Sequence, residues 1–190
     1  MKVKVKVKDK ANIVDPVFGL SNKLYRVLWK LVYLIAFRLS PLPLFGYRRL
    51  ILRIFGAEVS PSARIYPSSE IWFPANLEVG ESSTIGPFVR VYNQGKITIG
   101  EKVVISQYSY LCASTHDYNS ASHPLVLSPI SIEDDVWISA GAFIGPGVTI
   151  REGSVVGACA VQTKSSSPWT VNAGNPSTYI KDRVRFRHGE

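Results

Sequence analysis

From Ile130 to Lys164 the chain repeats itself every six residues. Ile132, Ile138, Ile144, Ile150 and Val156 mark one register, and Val136, Ala142, Val148, Ser154 and Ala160 mark a second, four residues on. Gly or Pro recurs between them at Gly141, Gly145, Pro146, Gly147, Gly153 and Gly157. A period of six is neither the helical period nor the alternation of a strand. It is the period of a stacked repeat. Six residues make one short strand and one corner. The aliphatic residue points inward at mid-strand, the small residue fits inward near the corner, and Gly supplies turn angles. Three hexads then close one triangular coil. Coils stacked in parallel line the interior with ladders of Ile and Val.

The same period runs upstream through Val59, Ile65 and Ile71, with Ala63, Ser69 and Ala75 in the small register. It shifts by two and resumes at Val79, Ile85 and Val91, with Ser83 and Val89. It shifts again to Ile99, Ile105 and Leu111, with Val103 and Ser109, and then breaks until Ile132. The pattern predicts a solenoid over residues 57–164, with an insertion at about 115–129. Gln162 stands where an aliphatic would continue the ladder, and Ser165-Ser166-Ser167-Pro168 ends it.

A solenoid exposes apolar side chains at its end coil and needs a cap. Residues 1–56 supply one. Residues 1–10 alternate Lys and Val and read as a frayed or edge strand. Asp15-Pro16 and Gly19 read as a loop, with Ser21 or Asn22 placed to cap a helix. Apolar residues from Leu24 to Phe37, with Lys23, Arg26 and Lys30 in a polar strip, predict that helix. Pro41 and Pro43 break it. Leu44 to Phe55 reads as a second amphipathic helix ended by Gly56. Two roles fit residues 23–55: packing on the solenoid end or a neighbouring subunit, and peripheral contact with a membrane surface. The uncharged run between Lys30 and Arg38 is too short to span a bilayer. Residues 165–190 read as an exit loop and a basic tail.

The chain's 190 residues suit one domain, and the formal net charge is +8. That charge points to an acidic partner (nucleic acid, anionic membrane or phosphorylated ligand) or to solubility alone. No nucleic-acid-binding motif accompanies it, so no nucleic-acid partner is expected. Cys112 and Cys159 lack C-x-x-C spacing and read as small core or near-core residues in a reducing compartment. No apolar signal segment with a small-residue cleavage site follows the Lys-rich start, so a cytoplasmic location is expected, with the inner membrane face open to residues 23–55.

The hexads resemble the [LIV]-G-x-x-x-x repeats of the hexapeptide-repeat acyltransferases. YNQGKITIG, ISQYSYLCASTHDYN, VWISAGAFIGPGVTI and WTVNAGNP resemble one branch. It contains the colanic-acid and sugar O-acetyltransferases related to the maltose, galactoside and nodulation-factor enzymes. The resemblance implies a left-handed parallel β-helix with an N-terminal α-helical cap, assembled as a homotrimer with active sites between subunits. It implies acetyl-CoA as donor, a saccharide or sugar-precursor acceptor and no metal. Departures are K-S-S-S-P after the last hexad, where the family commonly has K-D-V-P-P, and Glu133 and Arg151 in place of Gly.

The chain has three histidines, His116, His123 and His188. His116 stands in S-T-H-D-Y where the repeat opens into its insertion, and loops interrupting a rigid scaffold are where sites are built. The resemblance makes His116 the catalytic base. A neutral imidazole suits removal of a hydroxyl proton during attack on a thioester. Asp117 or Glu133 could orient the ring. The family's oxyanion donor maps near the Ala140 N–H. For the acceptor, Asn93 matches a sugar-holding Asn, with Tyr92, Asp117 and Tyr118 nearby. Turn formation before Gly95 is the alternative for Asn93, packing for Tyr92 and Tyr118, and solvation for Asp117. For coenzyme A the resemblance points to Trp137, Ser139, Ala140, Gly157, Ala158, Thr163 and Lys164, with Asn175, Pro176 and Arg183 toward the nucleotide. Corner sterics alone would also explain the small residues.

Two other functions compete. A β-helical metal enzyme of the carbonic anhydrase kind needs three suitably spaced histidines, and here His123 falls in the insertion and His188 in the tail. A noncatalytic trimeric binding scaffold would have no use for an intact S-T-H-D-Y.

Overall fold

The computed structural model describes residues 19–186. The strand expected at residues 1–10, and His188, lie outside them. Short parallel strands stack into three sheets that form the sides of a solenoid. The first sheet holds 58–59, 77–79, 97–99, 130–132 and 149–150. The second holds 64–65, 84–85, 104–105, 137–138, 155–156 and 170–173. The third holds 70–71, 90–92, 110–112, 143–144 and 161–162. The chain visits the sheets in that order, so three edges separate them.

The ladder positions are the core. Ile65, Ile85, Ile105, Ile138 and Val156 are fully buried in the second sheet, and Leu111 and Ile144 in the third. The small register is buried with them at Ala63, Ser69, Ser83, Ser109, Ala142, Ser154 and Ala160. Ala75 departs: it is exposed within the short 3-10 turn Pro74–Asn76. That turn is the physical content of the first frame shift. Register across the early coils runs Glu58 to Glu78 and Leu77 to Ile97 because the corners after the third sheet are two residues longer. After Ile132 the register tightens to Ile132 opposite Ile150.

The insertion is an antiparallel hairpin that pairs Ser114–His116 with Leu125–Leu127. At the far end Gln162 is buried, and its amide donates to the Lys164 carbonyl at 2.6 Å. The tail resolves as a strand, Thr178–Asp182, antiparallel to Thr170–Ala173. Cys112 is half-buried and Cys159 exposed. Cys159 takes a left-handed corner conformation, φ 56°, which turns its side chain outward instead of into the core.

Helix α1 (Leu20–Val32) continues into a π-helical segment, Tyr33–Phe37. Helix α2 (Phe45–Ile54) follows the Pro41 and Pro43 break and ends at Gly56, φ +80°. The expected cap at Ser21 or Asn22 is not used. Gly19 occupies the cap position with no side-chain bond, and Ser21 and Asn22 lie inside the first turn. The two helices cover the first coil. Trp29, Phe37, Ile51 and Leu52 are buried against it. Four donors close its open backbone. Trp29 Nε1 donates to Ile71 O at 2.7 Å, Arg48 Nε to Ile65 O at 2.6 Å and Arg49 to Ala63 O at 2.9 Å. Arg53 donates twice to Val59 O, at 2.9 and 2.5 Å. A sheet edge left bare would template pairing with another chain. Here every sheet's first strand meets a side-chain donor.

Candidate functional site

His116 ends the first strand of the hairpin and is exposed. Its Nδ1 lies 2.6 Å from the carbonyl oxygen of His123, across the hairpin loop. A carbonyl only accepts, so Nδ1 is the donor in this bond, and Nε2 is the ring nitrogen left to act as a base. A main-chain group therefore fixes the ring. Neither expected carboxylate does so. Asp117 Oδ1 accepts from the Asn119 N–H at 2.9 Å, an Asx turn inside the loop. Glu133 is held by the Arg151 guanidinium at 2.8 Å and the Glu152 N–H at 2.9 Å, on another edge.

Asn93 is wholly buried. Its Oδ1 accepts from the Phe73 N–H at 3.0 Å and its Nδ2 donates to Phe73 O at 2.7 Å. Both ends of the amide bond the coil below, which gives Asn93 the work of a corner post. Replacement by alanine would strand two backbone groups. Asn93→Ala is expected to cost about 1–3 kcal/mol of stability. Thermal unfolding should show the loss, and steady-state kinetics should show an unchanged acceptor KM.

Tyr92 is half-buried in a column of rings on the outside of the third sheet, 5.9 Å from Trp72 and 6.2 Å from Tyr110. Burial, and then the Cys112 sulfur beside it, push the Tyr110 phenol pKa up. Tyr118, 81% exposed, projects from the hairpin loop beyond His116.

The residues expected to hold coenzyme A divide between edges. Ser139–Ala140, Gly157–Ala158 and Asn175–Pro176 stack on the edge after the second sheet. The Val161 N–H donates to Gly174 O at 2.9 Å and the Ser177 N–H to Val161 O at 2.9 Å, which docks the last turn there. Trp137 lies at the same end of the second sheet, 47% exposed, its Nε1 donating to Ser106 Oγ at 3.0 Å. Thr163 and Lys164 lie on the edge after the third sheet, the edge that carries the His116 hairpin. Arg183 lies on neither. Its guanidinium donates to Asp135 O and Gly153 O, at 2.9 and 2.8 Å, and ties the tail to the edge after the first sheet.

The small residues have a steric reason of their own. A Cβ on Gly157 would stand 2.8 Å from the Ala173 Cβ. Corner hydrogen bonds still leave one group over. The Ala140 carbonyl accepts from the Cys159 N–H at 2.9 Å and the Gly141 N–H donates to Gln107 O at 2.9 Å, while the Ala140 N–H donates to no backbone carbonyl among the described residues. Lower on this edge, Phe88 and Tyr108 stack with centroids 5.1 Å apart and planes 4° from parallel. Both take left-handed backbone angles, φ 57° and 62°, uncommon for bulky residues. Nothing in the hexad pattern singles them out, because the corner residue varies freely in type.

One chain thus puts His116 and the Ala140 corner on different edges of a three-sided solenoid. Among the described residues no three His, Cys, Asp or Glu side chains gather as metal ligands.

Residues 129–161 match the family model described as bacterial transferase hexapeptide (six repeats). WcaF of Escherichia coli K12, named as a colanic acid biosynthesis acetyltransferase, is 40% identical over 164 residues, 86% of this chain and 90% of that one. A maltose O-acetyltransferase from Clostridium difficile 630 superposes with a TM-score of 0.79 at 27% identity, over 88% of this chain and 90% of that one. The hexapeptide-repeat acetyltransferase VCA0836 from Vibrio cholerae, solved in complex with acetyl coenzyme A, superposes with a TM-score of 0.78 at 25% identity, over 88% and 91%.

Proposed function

Because the chain belongs to the hexapeptide-repeat family of acyl-CoA-dependent acetyltransferases, we propose that it moves an acetyl group from acetyl-CoA to a saccharide hydroxyl. The acceptor is read as a surface-polysaccharide precursor, from the relative named for colanic acid biosynthesis. The observation that carries the chemistry is the His116–His123 bond, which engages Nδ1 as a donor and leaves Nε2 as the ring nitrogen able to take a proton.

In this reading Nε2 takes the hydroxyl proton as the oxygen attacks the thioester carbonyl. The Ala140 N–H, left over by the corner, donates to the oxyanion of the tetrahedral intermediate. Collapse breaks the C–S bond, and the imidazolium returns its proton to the departing thiolate. Acetyl ester and free coenzyme A thiol result. No acyl-enzyme forms, so neither cysteine is used.

His116 and Ala140 sit on separate edges, so the working site needs two copies of the chain: one supplies the hairpin and its neighbour the corner edge. A homotrimer meets that need. The narrow edge of Ala140, Ala158 and Pro176 suits a pantetheine arm laid along backbone. Phe88 and Tyr108, on the same edge, offer a flat surface for a sugar ring. The working location is the cytoplasm, where acetyl-CoA is available.

The test is coenzyme A release from acetyl-CoA against a panel of saccharides. Ala158 is exposed. Ala158→Trp is therefore expected to raise the acetyl-CoA KM more than tenfold with little change in melting temperature. At acetyl-CoA well below its KM, where Ala158→Trp alone is slow, His116→Ala subunits mixed equally with Ala158→Trp subunits should reach roughly a quarter of the wild-type rate, because one site in four combines two intact halves. Mixing without recovery would place both halves in one chain and overturn the two-copy site.

A further inference from the structure

Helix α1 and its π-helical continuation carry two adjacent apolar rows, about a quarter turn apart. At about 100° per residue, Tyr25, Trp29, Val32 and Ala36 form the row that packs on the solenoid. Leu24, Leu28, Leu31 and Ile35 form a second row beside it, and they are exposed, Ile35 by 70%. Leu39 (74% exposed), Leu42, Leu50 and Ile54 extend this surface across the linker and α2. Monomeric surfaces seldom leave so continuous an apolar area bare without a use.

The charges around it are of one sign. Between Gly19 and Ala57 the basic residues are Lys23, Arg26, Lys30, Arg38, Arg48, Arg49 and Arg53, and there is no Asp or Glu. Arg48, Arg49 and Arg53 turn inward to the first coil. Lys23, Arg26, Lys30 and Arg38 border a groove of about 720 Å³ between the helix and the third sheet. Among the described residues the one carboxylate lining that groove, Glu70, pairs with Arg90 at 3.5 Å. An apolar helix face flanked by cations is the pattern of a helix lying in a lipid interface. Cations near an anionic leaflet strengthen such binding. No helix among the described residues is long and apolar enough to cross a membrane.

We propose that this cap is a docking surface for an anionic phospholipid bilayer, with the apolar row seated at the acyl boundary and lipid phosphates meeting the cationic groove. A second copy docked cap against cap is the poorer occupant, since it would bring cations against cations with no carboxylate of residues 19–57 between them. The inference stands apart from the acetyl-transfer reading, because it uses none of the residues assigned to catalysis or coenzyme binding.

The test is cosedimentation of the full chain with vesicles of phosphatidylglycerol and phosphatidylethanolamine, against vesicles of phosphatidylcholine alone. Binding to the anionic vesicles is expected to weaken as salt rises. The variant Leu24→Gln, Leu28→Gln, Leu31→Gln should lose at least tenfold in partitioning, while its melting temperature and acetyl-CoA turnover on a soluble sugar stay at wild-type values. Equal binding to both vesicle types, or by wild type and variant, would overturn the proposal. So would wild-type protein that ignores vesicles but self-associates through leucines the variant lacks.

Discussion

Replacing His116 by alanine is expected to lower kcat for acetyl transfer by about 10²–10⁴-fold, the usual worth of a positioned general base, and to leave the melting temperature unchanged. The two halves of that expectation have separate causes. The imidazole is exposed, and its one hydrogen bond among the described residues goes to the His123 main-chain carbonyl. Truncation therefore opens no cavity, and the freed carbonyl is rehydrated. The KM for acetyl-CoA should also hold, since the corner residues lie on another edge. His116→Asn is the sharper control. It can still donate to the His123 carbonyl but offers no base, so it should be as slow as alanine. ¹⁵N spectra of the wild-type imidazole should show the tautomer protonated at Nδ1. A productive sugar turned over equally fast by wild type and His116→Ala would end the mechanism, though not the fold.

The solenoid was legible because a six-residue period leaves each ladder position one physical option, and Ile65 through Val156 are buried as that spacing requires. The frame shifts were visible too, although spacing could not say that one would become a 3-10 turn and expose Ala75. What stayed hidden was whatever depends on a partner without a sequence signature. A main-chain carbonyl orients His116, and no residue type announces it. Asn93 before Gly95 suits a turn and a ligand equally, and only its two bonds to Phe73 decide for the corner. Arg183 carries a charge suited to phosphate, yet two carbonyls on another edge claim it. The cap was predicted from hydrophobic need, but Arg48, Arg49 and Arg53 of α2 are what anchor it to the first coil.

Arg48 makes the last point measurable. It is wholly buried, and its guanidinium serves four acceptors: Ile65 O at 2.6 Å, Ser40 Oγ at 3.0 Å, Pro41 O at 2.9 Å and Leu42 O at 2.6 Å. Burial, and then the nearby Arg49, push its pKa down, but a guanidinium keeps its proton. Arg48→Met keeps much of the apolar volume and removes every donor. It strands carbonyls of the first coil and of the loop between the helices, in a place water does not reach. With each unmet group costing about 1–3 kcal/mol, a loss of about 3–5 kcal/mol is expected by chemical denaturation. Arg48→Lys should recover only part of it, because a single ammonium cannot span acceptors spread around a planar fork. Arg53→Met, at the exposed rim, should cost only about 1 kcal/mol, since water can replace its bonds to Val59 O. If Arg48→Met and Arg53→Met proved equally mild, the cap would be held by apolar contact alone, and closure of the first coil's carbonyls would not be what fixes the helices to the solenoid.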